Sequence, residues 1–437
     1  MRIYVVIHIV VWMLLSTLSF LGKAKEVNSL DIFVYSQSDQ NESWVVGWHS
    51  VPEQELAGQV HVPSAPAAFA APAMGHYFSL VDSESSNVYI VDALDTSLVK
   101  LDVPALYKEA FAYEHEYILA RSMRWSPDGT TLAFVGQTTA NRADIYSYDT
   151  ISGKLVNLTA DIRFTSDLLN LSAWSPDGRW LAFTGQWQQN SREITWTTGG
   201  IISSDGERFV ALDPKEPVCK LIWSPTQEYV LSPTDCLSRP GSQDGTDLVI
   251  FADILAETSA PVPTSWHISS DTKNTWRYYY PTWNNDLTIT AVRSLVQLVI
   301  NGTPAPKFEL VRYDVKNRQV QVIPVDTQLQ LVTTGIQFGN KVVWKGKSGD
   351  EAIHSIDLPT GTITYIPVDY PDICSVFHAR LSPNETYLAF VAGCGQDTLS
   401  SEVVIWDIRE SSIFLKIGSP GLIASSLGWL SVSKSTS

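Results

Sequence analysis

Short apolar runs alternate with clusters of Ser, Pro, Asp and Gly along most of this chain, and the spacing is regular. "RWSPDGTTLAFVG" runs from Arg124 to Gly136, and "AWSPDGRWLAFTG" repeats it from Ala173 to Gly185. The Trp-Ser-Pro unit starts at Trp125, Trp174 and Trp223, 49 residues apart each time. A further copy begins at Leu381, "LSPNETYLAFV", and weaker ones begin at Trp283, "WNNDLTITAV", and Phe338, "FGNKVVWKG". Each copy predicts a strand, a tight turn and a second strand.

The turn accounts for its own residues. Pro127 presets φ for the second turn position, Asp128 accepts hydrogen bonds from nearby backbone, and Gly129 tolerates positive φ. In the strand that follows, Leu132 and Phe134 fall on one face and Ala133 and Val135 on the other. Both faces are apolar, which predicts a strand buried on both sides between stacked sheets. Downstream of the hairpins an apolar strand ends in aspartate, at Asp92, Asp149, Asp253, Asp314, Asp357 and Asp407. Between Trp187 and Cys219 the pattern departs, with strands "EITWTTG" and "ERFVALD" joined through "SSDG" at Ser203 to Gly206.

The unit is therefore four antiparallel strands in about 45 to 60 residues, which describes a propeller blade. The fold class is all-β, a β-propeller of four-stranded antiparallel blades over residues 76–434, seven in number with six or eight as alternatives. The segment from His76 has three strands and lacks its innermost one. "SSLGWLSVS" around Trp429 supplies it, so that the C-terminal strand joins the first blade and leaves no open edge. Residues 25–75 read as an N-terminal extension, with "PSAPAAFAAPA" from Pro63 to Ala73 as an Ala/Pro-rich linker.

"WSPDG…LAF" followed by "IYSYD…GKLVNLT" resembles the TolB-type propeller and is similar to the propeller domains of prolyl oligopeptidases, over residues 76–434. The resemblance implies a ring of blades around a central channel and, for periplasmic members, protein partners at the cell envelope. It fixes the scaffold rather than what the surface binds. No G-x-S-x-G elbow follows a strand, so the hydrolase chemistry of the oligopeptidases is not expected, and no Walker A loop or Gly-rich dinucleotide turn occurs.

Residues 3–21, "IYVVIHIVVWMLLSTLSFL", form an uncharged and mostly apolar run behind Arg2, with Gly22 and Ala24 at cleavage spacing. Residues 1–24 are thus a signal peptide or, uncleaved, a membrane anchor, and the chain is expected to be exported to the periplasm or the extracellular space. The formal charge of −16 becomes −18 once Arg2 and Lys23 leave with that segment, which carries no acids. Nucleic acid is disfavoured as a partner, since phosphate binding needs clustered Lys and Arg. Four cysteines, at 219, 236, 374 and 394, flank two of the Ser-Pro hairpins. In an oxidising compartment they predict disulfides Cys219–Cys236 and Cys374–Cys394, one across the arms of each hairpin, although three pairings are possible. No CxxC or histidine spacing supports a metal site, and no cofactor is implied.

Asp128 and Asp177 read as turn residues rather than catalytic acids, because the copy at Trp223 has Thr226-Gln227 in place of Asp-Gly and keeps its strands. Binding candidates are aromatic. In "SWHISSDTKNTWRYYYPTW", Trp276, Tyr278 and Tyr280 share a strand face and Trp266 lies upstream, rings that stack on sugars, grip a peptide or pack between blades. "QWQQNSREITW" adds Trp187 and Arg192 on an extended loop. Arg124 and Arg380 hold equivalent places before the innermost turns and could line the channel. Sequons occur at Asn41, Asn157, Asn170, Asn301 and Asn384. The expected function is a non-catalytic binding scaffold for a protein, peptide or glycan partner. The alternatives are a glycan-acting or lyase-type enzyme at the channel mouth and a tethered sensory ectodomain.

Overall fold

The structure is a computed structural model. It describes residues 29–433 except 39–43, 52, 73, 103–122, 140–141, 163–168, 187–196, 213–217, 219, 235–246, 256–263, 269–274, 297–306, 326–328, 333–334, 346–352, 367–379, 393–401 and 418–423. Thirty-two strands, numbered β1 to β32 in chain order, form eight four-stranded antiparallel sheets. Among the described residues no helix is long and apolar enough to cross a membrane, and the 3–21 run lies outside them.

The ring has eight blades, the upper of the counts the repeats allow. Blade I joins β1 (Ser29–Ser38), β2 (Trp44–Ser50) and β3 (Glu55–Val62) to the C-terminal β32 (Ala424–Ser433), which is its innermost strand. Blades II to VIII follow as 66–100, 123–157, 170–212, 222–267, 275–323, 336–366 and 380–417. Their innermost strands are β4 (Pro66–Ala70), β8 (Met123–Trp125), β12 (Asn170–Trp174), β16 (Ile222–Trp223), β20 (Thr275–Trp283), β24 (Ile336–Phe338) and β28 (Arg380–Leu381).

Two expectations are corrected here. The stretch read as a linker contains β4, which supplies the missing inner strand of the His76 segment through the register Pro66↔Asp82 to Ala70↔Ser79. A proline is tolerated at the first residue of a strand, and composition alone misread it. The C-terminal strand instead closes on Ser29–Gln37, across nine register pairs, so the N-terminal extension is itself a blade.

Neighbouring blades bury their apolar faces against each other. Leu132 and Phe134 pack with blade II residues Val81, Val88 and Ile90, while Ala133 and Val135 pack with Leu171, Leu181 and Phe183 of blade IV. Burying one such phenylalanine contributes about 1.5–3 kcal/mol.

A tryptophan on five of the eight inner strands also latches onto the preceding blade. Trp125 Nε1 donates to the Ala70 carbonyl (3.1 Å), Trp174 to Arg124 (3.0 Å), Trp223 to Ala173 (3.2 Å), Trp283 to Ile222 (3.0 Å) and Trp429 to Arg380 (3.0 Å). The repeat keeps tryptophan because it supplies an apolar body for the blade interface and a donor for an inner-strand carbonyl.

Strand direction sorts the connections. Turns between first and second and between third and fourth strands lie on one face, the turn face. Connections from second to third strand and from blade to blade lie on the other, the loop face. The five longest connections, 101–122, 158–169, 234–247, 324–335 and 367–379, all belong to the loop face.

Candidate functional site

On the turn face the repeated carboxylates are spent on backbone. Asp128 Oδ1 accepts from Ser126 Oγ (2.5 Å) and the Thr130 amide (3.1 Å), while Ser126 Oγ accepts from the Thr131 amide (3.0 Å). Asp177 repeats this with Ser175 (2.6 Å) and the Arg179 amide (3.1 Å), and Asn384 does so with Ser382 (2.8 Å) and the Thr386 amide (2.9 Å). The same device reappears on the outer strands of blade IV, where Asp205 accepts from Ser203 Oγ (2.5 Å) and the Glu207 amide (3.0 Å). Burial pushes the Asp128 and Asp177 carboxyls up, but these hydrogen bonds outweigh it and hold both below the ordinary range. The position that follows Asp128, Asp177, Thr226 and Asn384 has positive φ in each turn: Gly129 (72°), Gly178 (72°), Gln227 (64°) and Glu385 (59°). The strand-end aspartates cap the next turn in the same way, as Asp149 does for the amides of Ile151 (2.9 Å) and Ser152 (2.8 Å).

The aromatic candidates gather at the junction of blades V and VI. Trp276 on β20 is half-buried, with the Arg293 guanidinium 3.8 Å from its ring centroid. Arg293 lies on β21 (Thr288–Val296), in register with Tyr278 on one side and with Glu309 on β22 (Phe308–Asp314) on the other. Its Nε and Nη2 donate to Glu309 Oε2 at 3.0 and 2.6 Å, and Lys307 Nζ lies 2.6 Å from Glu309 Oε1. Burial raises the Glu309 carboxyl, and the two cations more than offset it, so its pKa is lowered. Across the junction, Asp247 Oδ2 lies 2.9 Å from His267 Nδ1, between the chain entering β18 (Leu248–Ala252) and the end of β19 (Thr264–His267).

Tyr278 is 3% exposed in the core between these blades, so it packs there and presents no surface. Tyr280 does not share its face. A bulge between Tyr279 and Thr282, with Tyr280 at φ 52°, turns that ring to the blade VI–VII interface, where its hydroxyl donates to the Gly335 carbonyl at 2.8 Å and burial raises its pKa. Trp266 on β19 donates from Nε1 to the Tyr313 hydroxyl (3.2 Å), and Arg318 stands over its ring at 4.7 Å. Trp187 and Arg192 lie outside the described residues, in the segment joining β13 (Trp180–Gln186) to β14 (Thr197–Ser203).

The arginine candidates are elsewhere. Arg124 and Arg380 sit on inner strands beside the turn face, one residue before Trp125 and Leu381. Trp276 precedes Trp283, the equivalent of Trp125, by seven positions, which puts it roughly 20 Å nearer the loop face. The predicted residues thus form two separate groups. Asp247, His267, Arg293, Lys307 and Glu309 escaped the sequence reading because they belong to no motif, and only strand register brings them together. Among the described residues no cluster of His, Cys, Asp or Glu is arranged to hold a metal ion.

No family model and no curated protein sequence matches the chain. Solved structures similar to it include a eukaryotic initiation factor, 11% identical over 92% of this chain and 98% of that one, with a TM-score of 0.51. Apo AztD from Citrobacter koseri is 9% identical over 92% and 99%, with a TM-score of 0.50. A TolB protein from Agrobacterium tumefaciens is 12% identical over 67% and 88%, with a TM-score of 0.35. At such identities the first two likenesses speak to the fold alone. Fold and site together define an eight-bladed β-propeller closed by its own C-terminal strand.

Proposed function

We propose that this chain is an exported, non-catalytic scaffold that holds a polypeptide partner on its loop face. The carrying observation is the division of labour between faces. Every described carboxylate in the Ser-x-Asp turns is committed to donors of its own turn, while the five longest connections join strands at the opposite face. Loops on a rigid disc contribute contacts at low ordering cost. Trp276 with its stacked Arg293, together with the 187–196 segment that carries Trp187 and Arg192, offers the aromatic and guanidinium groups favoured in binding hot spots. Export is supported by the apolar run at 3–21 and by four cysteines whose positions in the sequence flank two Ser-Pro hairpins.

The enzymatic reading is weaker. Asp247 and His267 could orient and move a proton, but they lie at the outer strands of one blade, away from the channel mouth, and among the described residues no nucleophile is bonded to the imidazole.

A photo-crosslinking residue at Trp187, compared with one at Ile151 on the turn face, tests the reading in the native host. One partner captured from Trp187 and not from Ile151 is expected. Equal capture from both, or none from Trp187, would refute it.

A further inference from the structure

Strand direction fixes where the chain enters the disc. β1 begins at Ser29, paired with Ser433 of β32, and as the second strand of blade I it starts on the turn face. Seven residues, 22–28, separate it from the apolar run at 3–21. Fully extended, they reach at most about 25 Å. The run has 19 uncharged residues, close to the roughly 20 that cross a bilayer as a helix. Around that entry, turn-face tips are apolar where turns are ordinarily polar. Asp92 Oδ1 accepts from the Leu94 amide (2.8 Å) and Asp149 Oδ1 from the Ile151 amide (2.9 Å), so one capping device sets a leucine in a tip of blade II, 65% exposed, and an isoleucine in a tip of blade III, 79% exposed. Nine large apolar side chains are exposed among the described residues, and the three that stand in turns, Met74, Leu94 and Ile151, all belong to the turn face of these two blades. Leu56 of blade I and Ile413 of blade VIII extend the patch as the exposed second residues of their outer strands. Val320 holds that place on blade VI, outside this arc. The five stand on four consecutive blades, VIII, I, II and III, with the chain entry among them.

We propose that the turn face rests on a lipid bilayer, with residues 3–21 retained as its span and the tips at Met74, Leu94 and Ile151 seated in the headgroup boundary. A short tether keeps the face at high effective concentration beside the membrane, so apolar tips that would bind it weakly when free are sufficient. The formal charge of −16 selects a zwitterionic surface over an anionic one. The loop face, with the longest connections, then points away from the bilayer. This docking does not depend on the loop-face reading.

The full chain in phosphatidylcholine vesicles, with a nitroxide on a fraction of the headgroups, tests it. A fluorescent amino acid at position 56, on the turn face, should be quenched severalfold more than one at position 84, in the loop-face connection of blade II. Leu94→Ser combined with Ile151→Ser changes two exposed tips and leaves the span in place. It should lower the quenching at position 56 by about half or more and leave position 84 unchanged. Equal quenching at the two positions, or no response at position 56 to the double substitution, would overturn the docking. Intact mass of the chain from its native host should include residues 3–21, and a chain that begins near Lys25 would overturn the tether. Loss of the Trp187 cross-link with the quenching pattern intact would strike the loop-face reading only.

Discussion

Ser431 donates its hydroxyl proton to Asp31 Oδ1 at 3.3 Å across 400 positions of sequence. In blades III and IV a covalent turn joins the first strand to the second, and a serine bonded to an acid steadies it. In blade I the chain ends occupy that place, and Ser431 with Asp31 restores the bond between them. Asp31 is 1% exposed, and its Oδ2 has no partner.

Burial raises the Asp31 carboxyl above its ordinary range, and the Ser431 bond offsets this only in part. A group whose pKa is raised on folding contributes stability at low pH and loses it as pH climbs through the folded value. Tyr387 faces Asp31 from blade VIII, with Asp407 and Arg409 beyond it, and Ser431 faces it from β32. Asp31→Asn removes the charge and keeps the shape. Its melting temperature, minus that of the native chain, should rise with pH above the carboxylate range, and a difference that is flat with pH would contradict this.

The tryptophan latches are separable from the turns. Trp174→Phe removes the donor to Arg124 and leaves a small void, so a loss of about 1–3 kcal/mol is expected in urea denaturation. Trp223→Phe, with an equivalent bond to Ala173, should cost about the same. Loss of less than a few tenths of a kcal/mol at both sites would show that the indole nitrogens do not hold the blades.

Asp128 is predicted to be replaceable by its geometric equivalent. Asp128→Asn should be close to neutral, because Asn384 fills the same place in blade VIII, whereas Asp128→Ala should cost about 1 kcal/mol. Gly129→Ala should cost more, about 1–3 kcal/mol, since φ is 72° and a Cβ would stand 2.4 Å from the Met74 carbonyl. Thermal melts of the three variants check the order.

How far the sequence could be read follows from which signals are local. The Ser-x-Asp turns, the two-faced strands and the C-terminal closing strand were all legible, because each depends on a few adjacent residues. Blade I and β4 were not. Their strands lack the Trp-Ser-Pro turn, since blade I is split between the chain ends and the short β4 is built from alanine and proline. Tyr280 was placed on the wrong face because period-two counting cannot see a bulge. The Arg293–Glu309 pair was beyond reach for a different reason: its meaning comes from the register between strands, which no local pattern encodes.

The cysteines lie outside the described residues, but the strands beside them run in register, Ile222↔Leu231 in blade V and Arg380↔Ala389 in blade VIII. The spacing of the cysteines about the two Ser-Pro hairpins predicts Cys219–Cys236 and Cys374–Cys394 as pairs. Peptide mapping of the chain purified from its native host without reductant should recover those two linked pairs. Recovery of any crossed pair, or of four free thiols, would refute the assignment.

Ring closure is what makes a rigid disc of this chain, and amide hydrogen exchange across the closing strands tests it most directly. Amides of Phe33 to Ser36 and of Trp429 to Val432 should exchange as slowly as those of Phe134 and Ile145 in blade III, opening only with the whole ring. Exchange of the terminal strands orders of magnitude faster than blade III under the same conditions would contradict a closed eight-bladed ring.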